Sequence, residues 1–98
     1  MGERLANIHP GEILLEEFMR PMGITQYRLA QETGISQMRV SEIVRGKRGV
    51  TADTALRLAR YFGTSDKFWM GLQDDYEIEE ARTALAGRLE SEVRPLAV

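Results

Sequence analysis

Gln37, Met38, Arg39 and Glu42 sit together in one short stretch, ISQMRVSEIVRGKRG, which runs from Ile35 to Gly49. A carboxamide can bond adenine through two hydrogen bonds, and a guanidinium can do the same for guanine. A carboxylate can accept from the cytosine amino group, and an apolar side chain can touch the thymine methyl. These four positions therefore offer one group for each kind of base edge. Immediately downstream, Arg45, Lys47 and Arg48 supply the cations that phosphates attract. This is the chemistry of reading a polyanion, with no bond made or broken.

Catalytic chemistry has little to stand on. His9 is the single histidine and precedes a Pro-Gly pair, where a cap or solvent role is expected. The chain has no cysteine, so it offers no thiol nucleophile, no disulfide and no thiolate metal ligand. One histidine without cysteine cannot build the usual zinc site. Glu16-Glu17 and Asp74-Asp75-Glu77 are acidic clusters, but adjacent helical residues diverge by about 100° and make poor paired carboxylates. Trp69 shares a helix side with Phe68, Leu72 and Tyr76, which reads as core rather than as a ligand platform. The reading is a non-enzyme with no cofactor and no metal.

The charge distribution favours one local site. The 98 residues carry a formal net charge of -2. Residues 1–19 hold -3, residues 20–60 hold +5 from eight cations against three anions, and residues 61–98 hold -4. A basic middle between acidic ends suits a confined polyanion surface better than general adhesion to nucleic acid. Hydrophobic content of 43% with 29% charged residues is that of one ordinary globular domain. No apolar run approaches the length of a membrane span. The opening MGERLANIHPGEI lacks the apolar block of a secretory signal, so a cytoplasmic location is expected.

The elements that must position these residues read as all-α. A first helix is expected from about Pro10 to Arg20, with Ile13, Leu14 and Phe18 inward and Pro21 and Gly23 as the stop. A second runs from about Gln26 to Glu32 behind an N-cap at Thr25, with Leu29 and Ala30 inward. Gly34 then permits a left-handed turn. A third helix is capped by Ser36 and ended by Gly46. At 100° per residue, Val40, Ile43 and Val44 share its buried arc, while Met38, Glu42 and Arg45 fall opposite, with Arg39 on a flank. Glu42 is expected either to read a base or to orient Arg39 or Arg45. A fourth helix follows Thr51, with Ala55, Leu58, Ala59 and Phe62 as its core stripe. A fifth starts after Ser65. Beyond Glu77, the stripe Ile78, Arg82, Leu85, Leu89 and Val93 is interrupted by Gly87, which predicts a weaker helix or a tail ordered against a partner.

Two short helices joined by a glycine turn make a helix-turn-helix candidate whose third helix is free to enter a major groove. Gln26, at the start of the second helix, and Arg45, Lys47 and Arg48 are then placed to contact phosphates. The stretches HPGEILLEEFMRPMGITQYRLAQETGIS, SEIVRGKRGVTADTALRLARYFGTS and FWMGLQDDYEIEEA together resemble the HigA-type antitoxins, a branch of the phage-repressor-like (XRE) helix-turn-helix family. The resemblance covers about residues 8–81. It implies a five-helix repressor-like domain, expected over residues 1–81; residues 82–98 match no motif of the family and are expected to form a short C-terminal tail or helix available for partner contact. It also implies a homodimer, a palindromic double-stranded operator and a HigB-type partner, a RelE-like toxin that cleaves mRNA on the ribosome. The antitoxin would neutralise that toxin and repress its own operon. By the same likeness Gln37, Met38 and Glu42 match the family's base-reading positions, and Gln26, Ser36, Lys47 and Arg48 match its phosphate-contacting ones. Met38 stands where phage repressors commonly carry a polar residue. A solitary regulator without a toxin, or a protein-interaction adaptor, are the alternatives on the same fold.

Overall fold

A computed structural model describes residues 7–97, and these contain helices and turns with no strand. Residues 1–6 of the expected 1–81 domain, and Val98 of the expected tail, lie outside the described residues. Six helices follow one another.

The first, α1, is one rod of three abutting pieces: Pro10–Ile13, a π-helical turn over Leu14–Met19, and Arg20–Met22. His9 caps it, its Nδ1 accepting from the Gly11 amide at 2.9 Å. The widened turn changes which residues face in. On a regular α-helix, residues five apart diverge by about 140°. A π-turn bonds residues five apart and stacks them on one side. Leu14 and Met19 are both buried, at 1% exposure each. The expected stripe contained Leu14 but missed Met19, and placed fully inward Ile13 and Phe18, which are half-buried. The rod also passes through Pro21 and ends at Met22, two residues beyond the expected Arg20, with Gly23 as its stop.

Helix α2 spans Gln26–Thr33, α3 spans Gln37–Val44 and α4 spans Ala52–Phe62. Each starts where a hydroxyl accepts an orphan amide of the first turn: Thr25 for α2, Ser36 for α3 and Thr51 for α4. Gly34, at φ +76°, makes the turn between α2 and α3, and drops Ile35 into the core at 2% exposure. Leu29, Val40, Ile43, Ala55 and Leu58 form the centre of that core with Trp69.

Helix α5 spans Asp66–Ala84, so it is about 28 Å long. It runs unbroken through the segment expected to weaken after Glu77. Its first half packs on α4 and α1. Trp69 is fully buried, with Nε1 donating to the Thr64 hydroxyl at 2.8 Å. Phe68, grouped with it on the core side by spacing, is instead 38% exposed at the rim. The chain breaks at Gly87, and a short α6 follows over Arg88–Glu92.

Candidate nucleic-acid interface

α1 crosses the end of α3 at near contact. A Cβ on Gly11 would lie 1.7 Å from the carbonyl oxygen of Ile43, so only glycine fits there. α3 is thus held from behind by α1, α2 and its own apolar arc. Its opposite face is left to solvent. Gln37 and Met38 are exposed, Met38 at 68%, and neither side chain has a hydrogen-bond partner among the described residues. A face clothed by the chain's own side chains could not read bases. This one is bare where it matters.

The other expected base readers are placed differently. Arg39 is half-buried and turns toward α4, its Nη2 donating to the Thr54 hydroxyl and lying 3.3 Å from Asp53 Oδ2. It stands apart from Gln37 and Met38. Asp53 is shared with Arg57, and the two guanidinium groups hold its carboxyl below the ordinary carboxylate range. Glu42 is half-buried and orients neither Arg39 nor Arg45. Its Oε1 accepts from Arg48 Nε at 2.7 Å, a contact across the turn that spacing on one helix cannot reveal.

The cations sort in the same way. Of the eight between residues 20 and 60, five are ion-paired: Arg20 with Glu16, Arg28 with Glu32, Arg39 and Arg57 with Asp53, and Arg48 with Glu42. Arg45, Lys47 and Arg60 have no carboxylate partner among the described residues. Two of these three flank the end of α3. Arg45 leans back on the Ser41 carbonyl, 3.4 Å away, and Lys47 is exposed. The uncompensated positive charge is therefore narrower than the +5 of the whole segment, and it borders the outward face of α3.

The expected phosphate donors occupy the helix starts. Ser36 accepts from the Arg39 amide at 3.1 Å, which leaves its own O–H free to donate outward. Gln26 is half-buried at the first position of α2, where backbone amides and the helix dipole favour an anion. Tyr27 beside it is 59% exposed and lines a shallow groove with Gln31 and Gln37.

Two residues with a bearing on this surface escape a sequence reading. Thr54, at 1% exposure, receives Arg39. Gln73, at 6% exposure, accepts from the Val50 amide at 2.7 Å and so holds the loop after α3. A polar residue at the core period of α5 is the one sequence sign of the second.

The chain has relatives that match this arrangement. The helix-turn-helix family pattern covers residues 15–69. Virulence-associated protein I of Dichelobacter nodosus is 51% identical over 74 residues, which are 76% of this chain and 68% of that protein. Antitoxin HigA-1 of Vibrio cholerae is 38% identical over 73 residues, 74% of this chain and 68% of the relative. Among solved structures, Pseudomonas aeruginosa antitoxin HigA with the higBA promoter superposes with a TM-score of 0.90 at 44% identity, covering 94% of this chain and 100% of that one.

Proposed function

This chain belongs to the helix-turn-helix family, in its HigA-type antitoxin branch, and on that premise we propose that it is a sequence-specific DNA-binding repressor that also neutralises a toxin. The observation that carries the DNA half is the outward, unpartnered pair Gln37 and Met38 on a helix braced from behind. Gln37 reads a base edge and Met38 makes the apolar contact. Lys47 and Arg45 grip phosphates beside them, and the start of α2 at Gln26 grips another. Arg48 joins them by leaving Glu42, so part of its charge is held in reserve. Arg39 supports α3 through α4 rather than reading bases itself.

One α3 gives a small interface, so the chain acts as a homodimer on a palindrome with half-sites about one helical turn apart. The superposition on a HigA solved with its promoter supports the DNA-binding part of this reading. Its place of action is the cytoplasm. The experiment is an anisotropy titration of a duplex carrying the palindrome upstream of the chain's own coding sequence against a scrambled duplex. Preference for the palindrome by at least a hundredfold is expected. Equal affinity for both duplexes sinks the reading.

The toxin half rests on the HigA likeness and on the acidic ends, -3 over residues 1–19 and -4 over residues 61–98. The partner is a basic, RelE-like, HigB-type toxin that cleaves mRNA on the ribosome. A small basic open reading frame of RelE-like type is expected beside the gene, and co-expression of this chain with it should restore the growth that the toxin alone arrests. Arrest that persists with this chain present contradicts it.

A further inference from the structure

The loop from Arg45 to Thr51 carries the cations Lys47 and Arg48 from α3 to α4, and most of its own bonds lie at its two ends. The Lys47 amide still bonds back to the Glu42 carbonyl at 2.7 Å, and Thr51 already caps α4. Between them, Val50 is 4% exposed, and its amide has one partner, Gln73 Oε1 of α5, 2.7 Å away. The same carboxamide donates through Nε2 to Glu77 Oε2, also at 2.7 Å. Both ends of the amide are therefore used, and its orientation is fixed. It also stands hard against the loop. A Cβ built on Gly49 would meet Nε2 at 2.7 Å, Oε1 at 2.8 Å and the amide carbon at 2.9 Å. A Cβ there would force the carboxamide to shift off its two hydrogen bonds, and Gly49 has no left-handed backbone that would require glycine for conformational reasons. Its missing side chain is explained by space alone.

We propose that Gln73 is a positioning residue for DNA binding: its buried carboxamide, locked by Glu77 and seated on the bare backbone of Gly49, fixes the height at which the loop presents Lys47 and Arg48 to phosphates. This rests on the DNA-binding reading above. A buried polar side chain that only satisfied Val50 would contribute to stability. A positioning residue does something further, because it sets how many phosphates the loop neutralises. That number is read by the slope of log affinity against log salt, about 0.9 per phosphate on B-form DNA.

The test uses the full chain and a duplex of the upstream palindrome, with anisotropy titrations over a range of KCl and amide exchange at Val50 in the same samples. Gln73→Met keeps length and loses both bonds. Gly49→Ala keeps the Gln73 side chain but pushes its carboxamide from its seat. The exchanged pair Gln73→Glu with Glu77→Gln rebuilds both bonds with the donor on the other side. Gln73→Met and Gly49→Ala are expected to lose at least tenfold protection at Val50. Each should flatten the salt slope by roughly 0.9 to 1.8, one or two phosphates. The exchanged pair is expected to restore both readings. If the folded variants exchange faster at Val50 yet keep the parental slope, Gln73 is a structural residue only and the proposal is overturned. If Gln73→Met fails to fold, Gly49→Ala and the exchanged pair decide by the same two readings. A parental chain with no salt-dependent binding to either the palindrome or its scrambled form overturns the DNA reading itself, an outcome separate from an unchanged slope.

Discussion

The α2–α3 unit and the far end of α5 with α6 are both helical, yet they use their faces differently. α2 and α3 turn Leu29, Val40 and Ile43 inward at no more than 1% exposure and leave a mostly polar face outside, with Tyr27 and Met38 its exposed large hydrophobic residues. Beyond Gln73, α5 and α6 contain no buried residue. Ile78, Leu89 and Val93 are 53%, 45% and 58% exposed. The first region is held rigid by the core, which is what precise reading of base edges requires. The second has an apolar stripe with no described residue of its own chain beneath it. The difference shows that local helical pattern does not tell a folded face from a waiting one. Only packing does.

The comparison can be broken most sharply by truncation in each region. Trp69→Ala, at a fully buried site, should cost about 3–5 kcal/mol in urea unfolding. Leu89→Ala, at 45% exposure, should stay within about 0.5 kcal/mol. Similar costs at both positions would mean that the arm shares the core.

Within the rigid region, Gln37→Ala should lose about 1–3 kcal/mol of binding at one base position and little at the others, read by titrating a set of single-base operator variants. Uniform loss across the set would make Gln37 a phosphate contact. Lys47→Ala should weaken operator and scrambled duplexes alike and flatten the salt slope by about 0.9. Arg48→Ala should give a smaller change, because Arg48 must first leave Glu42.

The smallest expected effect is on pH. Burial lowers the basicity of His9 in the folded chain. The unfolded chain therefore binds more protons as pH falls below about 6.5. The stability contributed by neutral His9 is full above that pH, declines below it, and levels off once the folded imidazole is itself protonated. The cap bond from Gly11 to Nδ1 is lost with it. His9→Asn keeps a capping acceptor and should remove this part of the acid dependence, checked by urea midpoints between pH 7 and pH 5. An unchanged acid dependence in that variant would place the effect elsewhere.

The helix starts were legible in the sequence because a cap is a local bond. Thr25, Ser36, Thr51 and Ser65 each accept from an amide three residues on. The bare face of α3 was legible too, since Val40 and Ile43 fix its buried arc. Features set by contacts distant in the chain were not. Arg39 looked free on its own helix and is claimed by Thr54 and Asp53 on α4. Glu42 was expected either to read a base or to orient Arg39 or Arg45, and it pairs with Arg48 across the turn. Met19 was hidden by assuming 3.6 residues per turn through a π-helical stretch. Gln73 drew no reading from the sequence, because its meaning lies in Gly49 and Val50 some 23 residues earlier.

Which face of the molecule meets DNA is tested directly by one titration. Residue-resolved NMR shifts of the labelled chain, followed as the operator duplex is added, should be largest at Gln37, the Met38 methyl, Lys47 and Arg48, with α6 unmoved. Shifts concentrated on α5 and α6, with Gln37 and Met38 unchanged at saturation, would contradict it.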